Sequence, residues 1–319
     1  MSSAAAAEYD RLDPRKFRDP FRTIGGERRA HVGLEALETL WFNTGTLCNL
    51  ACENCYIESS PTNDSLSYLS LTEVQSYLDE IEAAGLGTGE IGFTGGEPFM
   101  NPDFMAMLAL SLDRGFRVLV LTNAMRPMMK SAEALAALGE RHGDRLRVRV
   151  SLDHYTQTLH ETERGARSWR KAIDGLCWLK NRPVALNVAG RLMWGEPEND
   201  MRAGYGRLFA ELGLAIDADN PGQLVLFPEM DAAADVAEIS AGCWQILGVN
   251  PSAMMCATSR MVIKRKGARA PALVPCTLLP DDPQFDLGTT LATAAEDVRL
   301  NHPHCARFCV LGGGSCSAG

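Results

Sequence analysis

The 319-residue sequence has no apolar run near the roughly 18 residues that a membrane-spanning helix needs. Its first residues, "MSSAAAA", lead directly into "EYDRLDPRKFRDPFR", so the apolar core of a secretory signal is also missing. Basic residues are outnumbered by acidic ones, and the net charge of −9 argues against a large nucleic-acid footprint. We therefore expect a cytoplasmic protein that has neither a membrane nor a nucleic acid as its partner.

Cysteine, in contrast, is frequent, with ten residues in the chain. In a reducing compartment these are metal ligands, core residues or redox groups rather than disulfides. Three of them, Cys48, Cys52 and Cys55, lie in one short loop, "TLCNLACENCY", directly after the strand-like run "LETLWFN". A structural zinc ion or a saturated iron–sulfur cluster takes four protein ligands. Either a fourth ligand lies elsewhere, or one metal position stays open.

Two other interpretations of this loop are open. Spacings of four and three residues match one face of a helix, so the cysteines could simply be buried apolar side chains. Asn49, Glu53 and Asn54 beside them make a poor core helix. A zinc site is the second alternative, and it lacks a fourth ligand nearby.

The middle of the chain alternates apolar strand-like runs with helical stretches such as "LTEVQSYLDEIEAAG" and "SWRKAIDGLCWLKNR". The six predicted strands are Thr39–Asn43, Glu90–Thr94, Arg117–Thr122, Leu146–Leu152, Val184–Ala189 and Gln223–Phe227. Alternation of this kind implies parallel strands joined by right-handed crossovers. We predict an α/β fold, a partial (β/α)6 TIM-like barrel, whose loops after the strands carry the chemistry.

The pattern changes after Met230, where six of the ten cysteines lie. We predict an N-terminal extension at 1–38, the barrel at 39–230 and a small cysteine-rich module at 231–319. Within that module, Arg260–Lys264 is expected to pair with Pro271–Val274 as a hairpin around Gly267.

A second motif, "FTGGEP", ends the second predicted strand. Gly95 and Gly96 let the backbone approach a ligand closely, and the carboxylate of Glu97 is suited to an ammonium group. The alternative is a tight strand-to-helix turn with Glu97 near a helix N-terminus.

Together, C-x3-C-x2-C after the first strand and GGEP after the second resemble the radical S-adenosylmethionine (SAM) superfamily, over Thr39 to about Met230. The resemblance implies that Cys48, Cys52 and Cys55 bind three irons of a [4Fe–4S] cluster. The amino and carboxylate groups of SAM chelate the fourth iron, which explains the number of cysteines. The family usually has an aromatic residue before the third cysteine, where this chain has Asn54; Tyr56 is expected to contact the adenine instead.

The resemblance also implies a SAM site at the ends of the strands. Gly95, Gly96 and Glu97 would line the methionine part, with Glu97 accepting a hydrogen bond from its amino group. The polar residues expected beside them are Ser151 and Asp153 at the ribose, Asn123 and Asn187 at the same end of the barrel, and Arg191 at the SAM carboxylate. The alternative for each is a residue that closes a strand by capping or turning. No catalytic side chain is assigned.

The tail resembles the twitch and SPASM modules of the same superfamily, which carry auxiliary iron–sulfur clusters. The implied ligands are Cys256, Cys276, Cys305 and Cys309, with Cys316 as a substitute for Cys309 and Cys243 left unassigned. A zinc site that uses His302 or His304 is the alternative.

The function implied is reductive cleavage of SAM to a 5′-deoxyadenosyl radical that abstracts hydrogen from a small-molecule substrate. Oxidation or rearrangement would follow with help from the auxiliary cluster. A small molecule is expected because 319 residues leave no room for a leader-binding domain. The electron donor would be a protein such as flavodoxin or ferredoxin. The alternatives are radical modification of a peptide or protein, and a non-catalytic iron–sulfur or SAM-binding sensor or scaffold.

Overall fold

The secondary structure of the computed structural model is described for residues 11–314. The strands are β1 His31–Val32, β2 Thr39–Asn43, β3 Glu90–Thr94, β4 Arg117–Thr122, β5 Leu146–Ser151, β6 Ala185–Leu192, β7 Leu224–Pro228, β8 Ser259–Ile263, β9 Ala272–Val274 and β10 Val298–Arg299. The helices are α1 Leu71–Ala84, α2 Phe104–Asp113, α3 Arg126–Lys130, α4 Ala132–His142, α5 Gln157–Arg164, α6 Ser168–Leu179, α7 Glu198–Leu212 and α8 Cys243–Leu247. Cys305–Leu311 forms a π-helix. None of the helices in this part of the chain is both long and apolar enough to cross a membrane.

The central sheet has the strand order β7-β6-β5-β4-β3-β2-β8-β9. Strands β2 to β7 pair in parallel in chain order, which confirms the predicted α/β fold with a mostly parallel sheet. The predicted hairpin is present, because β8 and β9 pair antiparallel with Met261 opposite Val274. The hairpin is not separate from the barrel sheet, because β8 pairs in parallel with β2, with Thr39 opposite Ser259. The hairpin therefore extends the barrel's own sheet.

Alternating side chains of the strands build two cores, one on each face of the sheet. Phe42, Phe93 and Val118 face the helices in the larger core. Trp41 and Leu119 face the other way, into a core that they share with residues of the tail. A Cβ atom on Gly92 would lie only 2.3 Å from the Trp41 ring, so a glycine in β3 makes room for that ring. The tail thus packs on the inner face of the curved sheet.

The described part of the N-terminal segment contributes to the same inner core as the tail. Strand β1 pairs antiparallel with β10. Arg29, which is buried, forms an ion pair of 2.5 Å with Glu238 and donates to the carbonyl of Leu300 at 3.3 Å. Glu238 in turn accepts from the backbone N–H of Ile24 at 2.6 Å. Residues 11–38 and the tail are therefore held together by buried polar contacts.

Candidate active site

A cavity opens at the carboxyl ends of the barrel strands and contains about 1010 Å³ of space, including its open mouth. The residues predicted for the cluster and SAM that line it are Cys48, Cys52, Cys55, Tyr56, Gly95, Gly96, Asn123, Ser151, Asp153 and Arg191. Parallel strands end at one edge of a sheet, so loops that are distant in sequence meet there. Leu278 and Phe308 from the tail also contribute to the wall, so the cavity lies between the barrel and the tail.

The two glycines after β3 hold the cysteine loop, which we define as residues 44–70. The backbone N–H of Gly96 donates to the carbonyl of Gly45 at 2.8 Å, and the N–H of Glu97 donates to that of Leu47 at 3.1 Å. A Cβ atom on Gly96 would lie 2.2 Å from the Leu47 carbonyl oxygen, and Gly95 has a φ of +133°. Close packing of the two loops therefore requires these glycines, in addition to any approach by a ligand.

Glu97 lies behind the cavity wall and is almost completely buried. Its carboxylate accepts hydrogen bonds from the Thr122 hydroxyl at 2.8 Å and from the Asn123 backbone N–H at 2.9 Å. Burial raises the pKa of this carboxyl to about 7, although these hydrogen bonds oppose the shift. Both oxygens thus bond to the protein itself and connect the ends of β3 and β4. Its direct pairing with a ligand ammonium stays a prediction.

Glu163, which was not predicted from the sequence, binds the cysteine loop on the side away from the two glycines. Its carboxylate accepts from the backbone N–H of Asn54 at 3.0 Å and from the Asn54 side-chain amide at 2.8 Å. Arg191 completes the contact: its Nη1 donates to Glu163 at 2.8 Å and to the Asn54 carbonyl at 3.0 Å. Arg191 therefore lines the cavity while its guanidinium group clamps the loop.

Arg164, on α5, is a second residue that the sequence analysis missed. Its Nε and Nη2 donate to the carboxylate of Asp153, the latter at 3.0 Å, and its side chain is 13% exposed. Burial alone would lower the pKa of Arg164, but the negative charge of Asp153 outweighs it and raises that pKa. Its Nη1 makes no hydrogen bond within residues 11–314. A permanent cation with an unused donor thus lines the cavity.

Two further predicted residues, Asn123 and Asn187, lie far apart from each other. Asn123 is buried, and its side-chain amide donates to the Asn49 side chain at 3.0 Å, beneath the cysteine loop. Asn187 was expected at the same end of the barrel, and that expectation is wrong. It lies near the amino-terminal end of β6, lines a different pocket, and donates to the Gly222 carbonyl.

Residues 42–203 match the family described as the radical SAM superfamily. The chain belongs to this superfamily. It is 32% identical over 152 residues to the antilisterial bacteriocin subtilosin biosynthesis protein AlbA of Bacillus subtilis, covering 46% of this chain and 32% of AlbA. It is 33% identical over 144 residues to the mycofactocin maturase MftC of Mycobacterium ulcerans, covering 45% of this chain and 37% of MftC. The matches thus span about a third of the length of these two relatives.

Two solved structures share the fold. Streptococcus suis SuiB bound to S-adenosylmethionine has a TM-score of 0.58 at 12% identity, over 80% of this chain and 63% of SuiB. The protein anSMEcpe with bound AdoMet has a TM-score of 0.58 at 17% identity, over 81% of this chain and 77% of that protein. At these identities the likeness establishes the fold, which extends from the barrel into the tail.

Radical SAM proteins use a [4Fe–4S] cluster and SAM, and the donor set of the cavity fits both. Burial raises the pKa of the Cys48 thiol to about 12 and that of Cys52 to about 11. Such thiols lose their protons when a metal supplies compensating positive charge. Three cysteine ligands would leave one iron of such a cluster open to SAM, and the cation of Arg164 lines the same cavity.

The four tail cysteines with predicted cluster roles line one small pocket with apolar walls: Cys256, Cys276, Cys305 and Cys309. Cys256 precedes β8, Cys276 follows β9, and the other two lie on the π-helix. In residues 11–314 no three His, Cys, Asp or Glu side chains are grouped to hold a single metal ion. A cluster places each sulfur on a different iron, so it does not need ligands that converge on one point. Cys243 does not line this pocket, and Cys316 lies outside the described residues.

Proposed function

We propose that this chain is a radical SAM enzyme that modifies a residue of a peptide or protein substrate. The observation that carries the enzyme assignment is that Cys48, Cys52 and Cys55 share one cavity with the carboxyl ends of the barrel strands. A reduced [4Fe–4S] cluster bound with SAM supplies a 5′-deoxyadenosyl radical, which abstracts hydrogen from the substrate. The electron comes from a one-electron carrier protein such as flavodoxin or ferredoxin.

Within this site, Arg164 is the cation that we assign to the SAM carboxylate. A carboxylate bound in a largely buried site requires a fixed positive charge, and arginine offers several donors to it. Both arginines already pair with a carboxylate, but Nη1 of Arg191 bonds to Glu163 and to the loop, whereas Nη1 of Arg164 has no partner among residues 11–314. Ser151 and Asp153 remain our proposals for the ribose, and Tyr56 for the adenine, since all three line the same cavity.

The far wall of the cavity is apolar and is built where the barrel meets the tail. Phe227 lies on the last barrel strand, β7, and Met230 follows it, while Leu278 and Phe308 come from the tail. The rings of Phe227 and Phe308 lie 5.6 Å apart. An apolar wall excludes water and competing hydrogen donors from the place where a radical reacts. The substrate residue would therefore enter between the barrel and the tail.

The names of the relatives support a peptide as substrate. AlbA is named as a bacteriocin biosynthesis protein, MftC as a maturase, and SuiB has been solved with its precursor peptide SuiA. A small-molecule substrate, which the sequence analysis favoured, is the second candidate. We further propose that Cys256, Cys276, Cys305 and Cys309 hold an auxiliary [4Fe–4S] cluster, which accepts the electron left after hydrogen loss.

The first experiment tests the cluster and the cleavage of SAM. Protein reconstituted without air should bind about eight irons and no zinc, and should convert SAM to 5′-deoxyadenosine under reducing conditions. Replacing Cys48, Cys52 and Cys55 together by alanine should remove about half of the iron and all cleavage. Cys177→Ala, a change in a half-buried cysteine on α6, is the matched control and should alter neither. Cleavage by the triple variant would refute the assignment.

The second experiment separates the two substrate classes. A cell extract is divided by size into a peptide fraction and a small-metabolite fraction, and each is incubated with the reduced enzyme and SAM. A rise in 5′-deoxyadenosine above the substrate-free level, with a new mass in the peptide fraction, is expected. A response only to the small-metabolite fraction would instead establish the second candidate.

A further inference from the structure

The thiol of Cys48 differs from those of Cys52 and Cys55 in the hydrogen bonds it accepts. The backbone N–H of Leu50 donates to Cys48 Sγ at 3.4 Å. The side-chain amide of Asn123 donates to the same sulfur at 3.9 Å, a long contact that is within the range for sulfur acceptors. Cys48 is also the most buried of the three cysteines, so water competes little for its sulfur.

The amide of Asn123 is fixed in the orientation that points its nitrogen at the cysteine loop. Its Oδ1 accepts from the backbone N–H of Met125 at 3.1 Å, so a flipped amide would place two donors face to face. Its Nδ2 also donates to Asn49 Oδ1 at 3.0 Å, and its backbone N–H donates to Glu97. The next residue, Ala124, adopts a left-handed φ of 56°, which costs energy for a residue with a Cβ atom.

We propose that Asn123 raises the reduction potential of the cluster held by Cys48, Cys52 and Cys55 by donating an N–H bond to Cys48 Sγ. This inference rests on the proposed function. A cluster gains negative charge on reduction, and hydrogen bonds to its sulfurs stabilise that form more than the oxidised one. Asn123 therefore acts through Cys48 and helps to keep the cluster within reach of its electron donor.

The test is a redox titration of the reconstituted protein, followed by electron paramagnetic resonance. The signal of this cluster is identified as the one that changes when SAM is added, which separates it from a cluster in the tail. Asn123→Leu keeps the approximate volume but removes the donor. At a fixed applied potential, the ratio of reduced to oxidised cluster in this variant should fall about tenfold. This fall is equivalent to a reduction potential that is lower by about 59 mV for one electron. Asn123→Asp should lower the ratio further, because it places an acceptor at the sulfur.

Asn101→Leu is the matched control. Asn101 is equally buried, and its side-chain amide supports the start of the cysteine loop through the carbonyl of Thr44 and also reaches that of Leu69. Neither of these hydrogen bonds involves a thiol. Loss of the Asn101 amide should therefore destabilise the protein without shifting the reduction potential of the cluster. An equal shift in Asn101→Leu and Asn123→Leu would overturn the proposal, since general loosening of the loop would then account for it.

A measurement on the parent protein keeps the proposal testable if the Asn123 variants bind no iron. Protein labelled with [15N]asparagine should show a hyperfine coupling between the reduced cluster and an asparagine nitrogen, and this coupling should persist in Asn49→Ala. Absence of the coupling would overturn the proposal. Unchanged potentials in variants that keep the SAM-responsive signal would also overturn it, while leaving the proposed function intact. A parent protein with no SAM-responsive signal would instead refute the proposed function.

Discussion

Glu97 offers the sharpest test of the site, because the structure and the sequence analysis give it different tasks. Its pKa of about 7, against an ordinary value of 4.5, means that the unfolded chain releases this proton more readily than the folded protein. The contribution of Glu97 to the free energy of unfolding is therefore fully present below pH 4.5 and is lost as the pH rises through 7. The rise of the pKa from 4.5 to about 7 corresponds to roughly 3 kcal/mol in all, and about 1 kcal/mol of it falls between pH 6 and pH 8.

Glu97→Gln removes the ionisable group at nearly constant volume. We expect the difference in the free energy of unfolding between the parent and the variant to change by about 1 kcal/mol from pH 6 to pH 8, to the parent's disadvantage at pH 8. Urea unfolding in the absence of air measures this difference at each pH. A constant difference would show that the carboxylate is already ionised at pH 6, which would contradict its place behind the wall.

The same variant separates the two roles in a second assay. Direct pairing with the SAM ammonium predicts that Glu97→Gln weakens SAM binding by about 1.5–3 kcal/mol, the range for a hydrogen bond to a charged group. A purely supporting carboxylate predicts a smaller change. Calorimetric titration of both proteins with SAM, at equal iron content, distinguishes the two outcomes.

Three further results are expected. Gly96→Ala should lose iron from the first cluster, since its Cβ atom would collide with the Leu47 carbonyl; full iron content by metal analysis would contradict this reasoning. Arg29→Ala should lower the free energy of unfolding by about 3–5 kcal/mol, because it leaves a buried carboxylate unpaired; urea unfolding measures the loss, and a change below about 1 kcal/mol would show that the pair is not buried in solution. A Cys256→Ala, Cys276→Ala double variant should still form 5′-deoxyadenosine slowly but modify no substrate, with faster hydrogen exchange mainly in the tail; product formation by this variant would remove the auxiliary cluster from the reaction.

The strands were predictable because a parallel sheet buries both of its faces. Such strands are nearly continuous apolar runs, and the predicted bounds of Glu90–Thr94 and Arg117–Thr122 agree with the structure. Helix α5 was not predicted, for the opposite reason. Its buried residues, His160 and Glu163, are polar, so apolar periodicity gives no signal there. Glu163 and Arg164, which α5 carries into the site, were therefore not predicted either.

The errors at the site have a geometric origin. Asn187 and Arg191 lie four residues apart on β6, and both were expected at the same end of the barrel. Four residues of a strand, however, span about 13 Å, so one lies near the amino end of β6 and the other at the cavity. The alternation of side chains along a strand predicts which face of the sheet a residue lies on, but not how far along the strand from the cavity it lies. The role of Glu163 depends on contacts with Asn54 and Arg191 across long sequence separations, which a local pattern does not contain.

The pairing of β8 with β2 bears on what an auxiliary cluster can do in the proposed enzyme. The cysteine loop follows the carboxyl end of β2, whereas Cys256 precedes β8, whose first residue is opposite Thr39. The two groups of cysteines are thus attached at opposite ends of the same pair of strands. Their pockets share no lining residue, and Phe308 on the π-helix faces the cavity while Cys305 and Cys309 face the other pocket. A cluster with four cysteine ligands in that pocket would have no free iron and no contact with the cavity, so it would exchange electrons with the substrate site rather than bind the substrate.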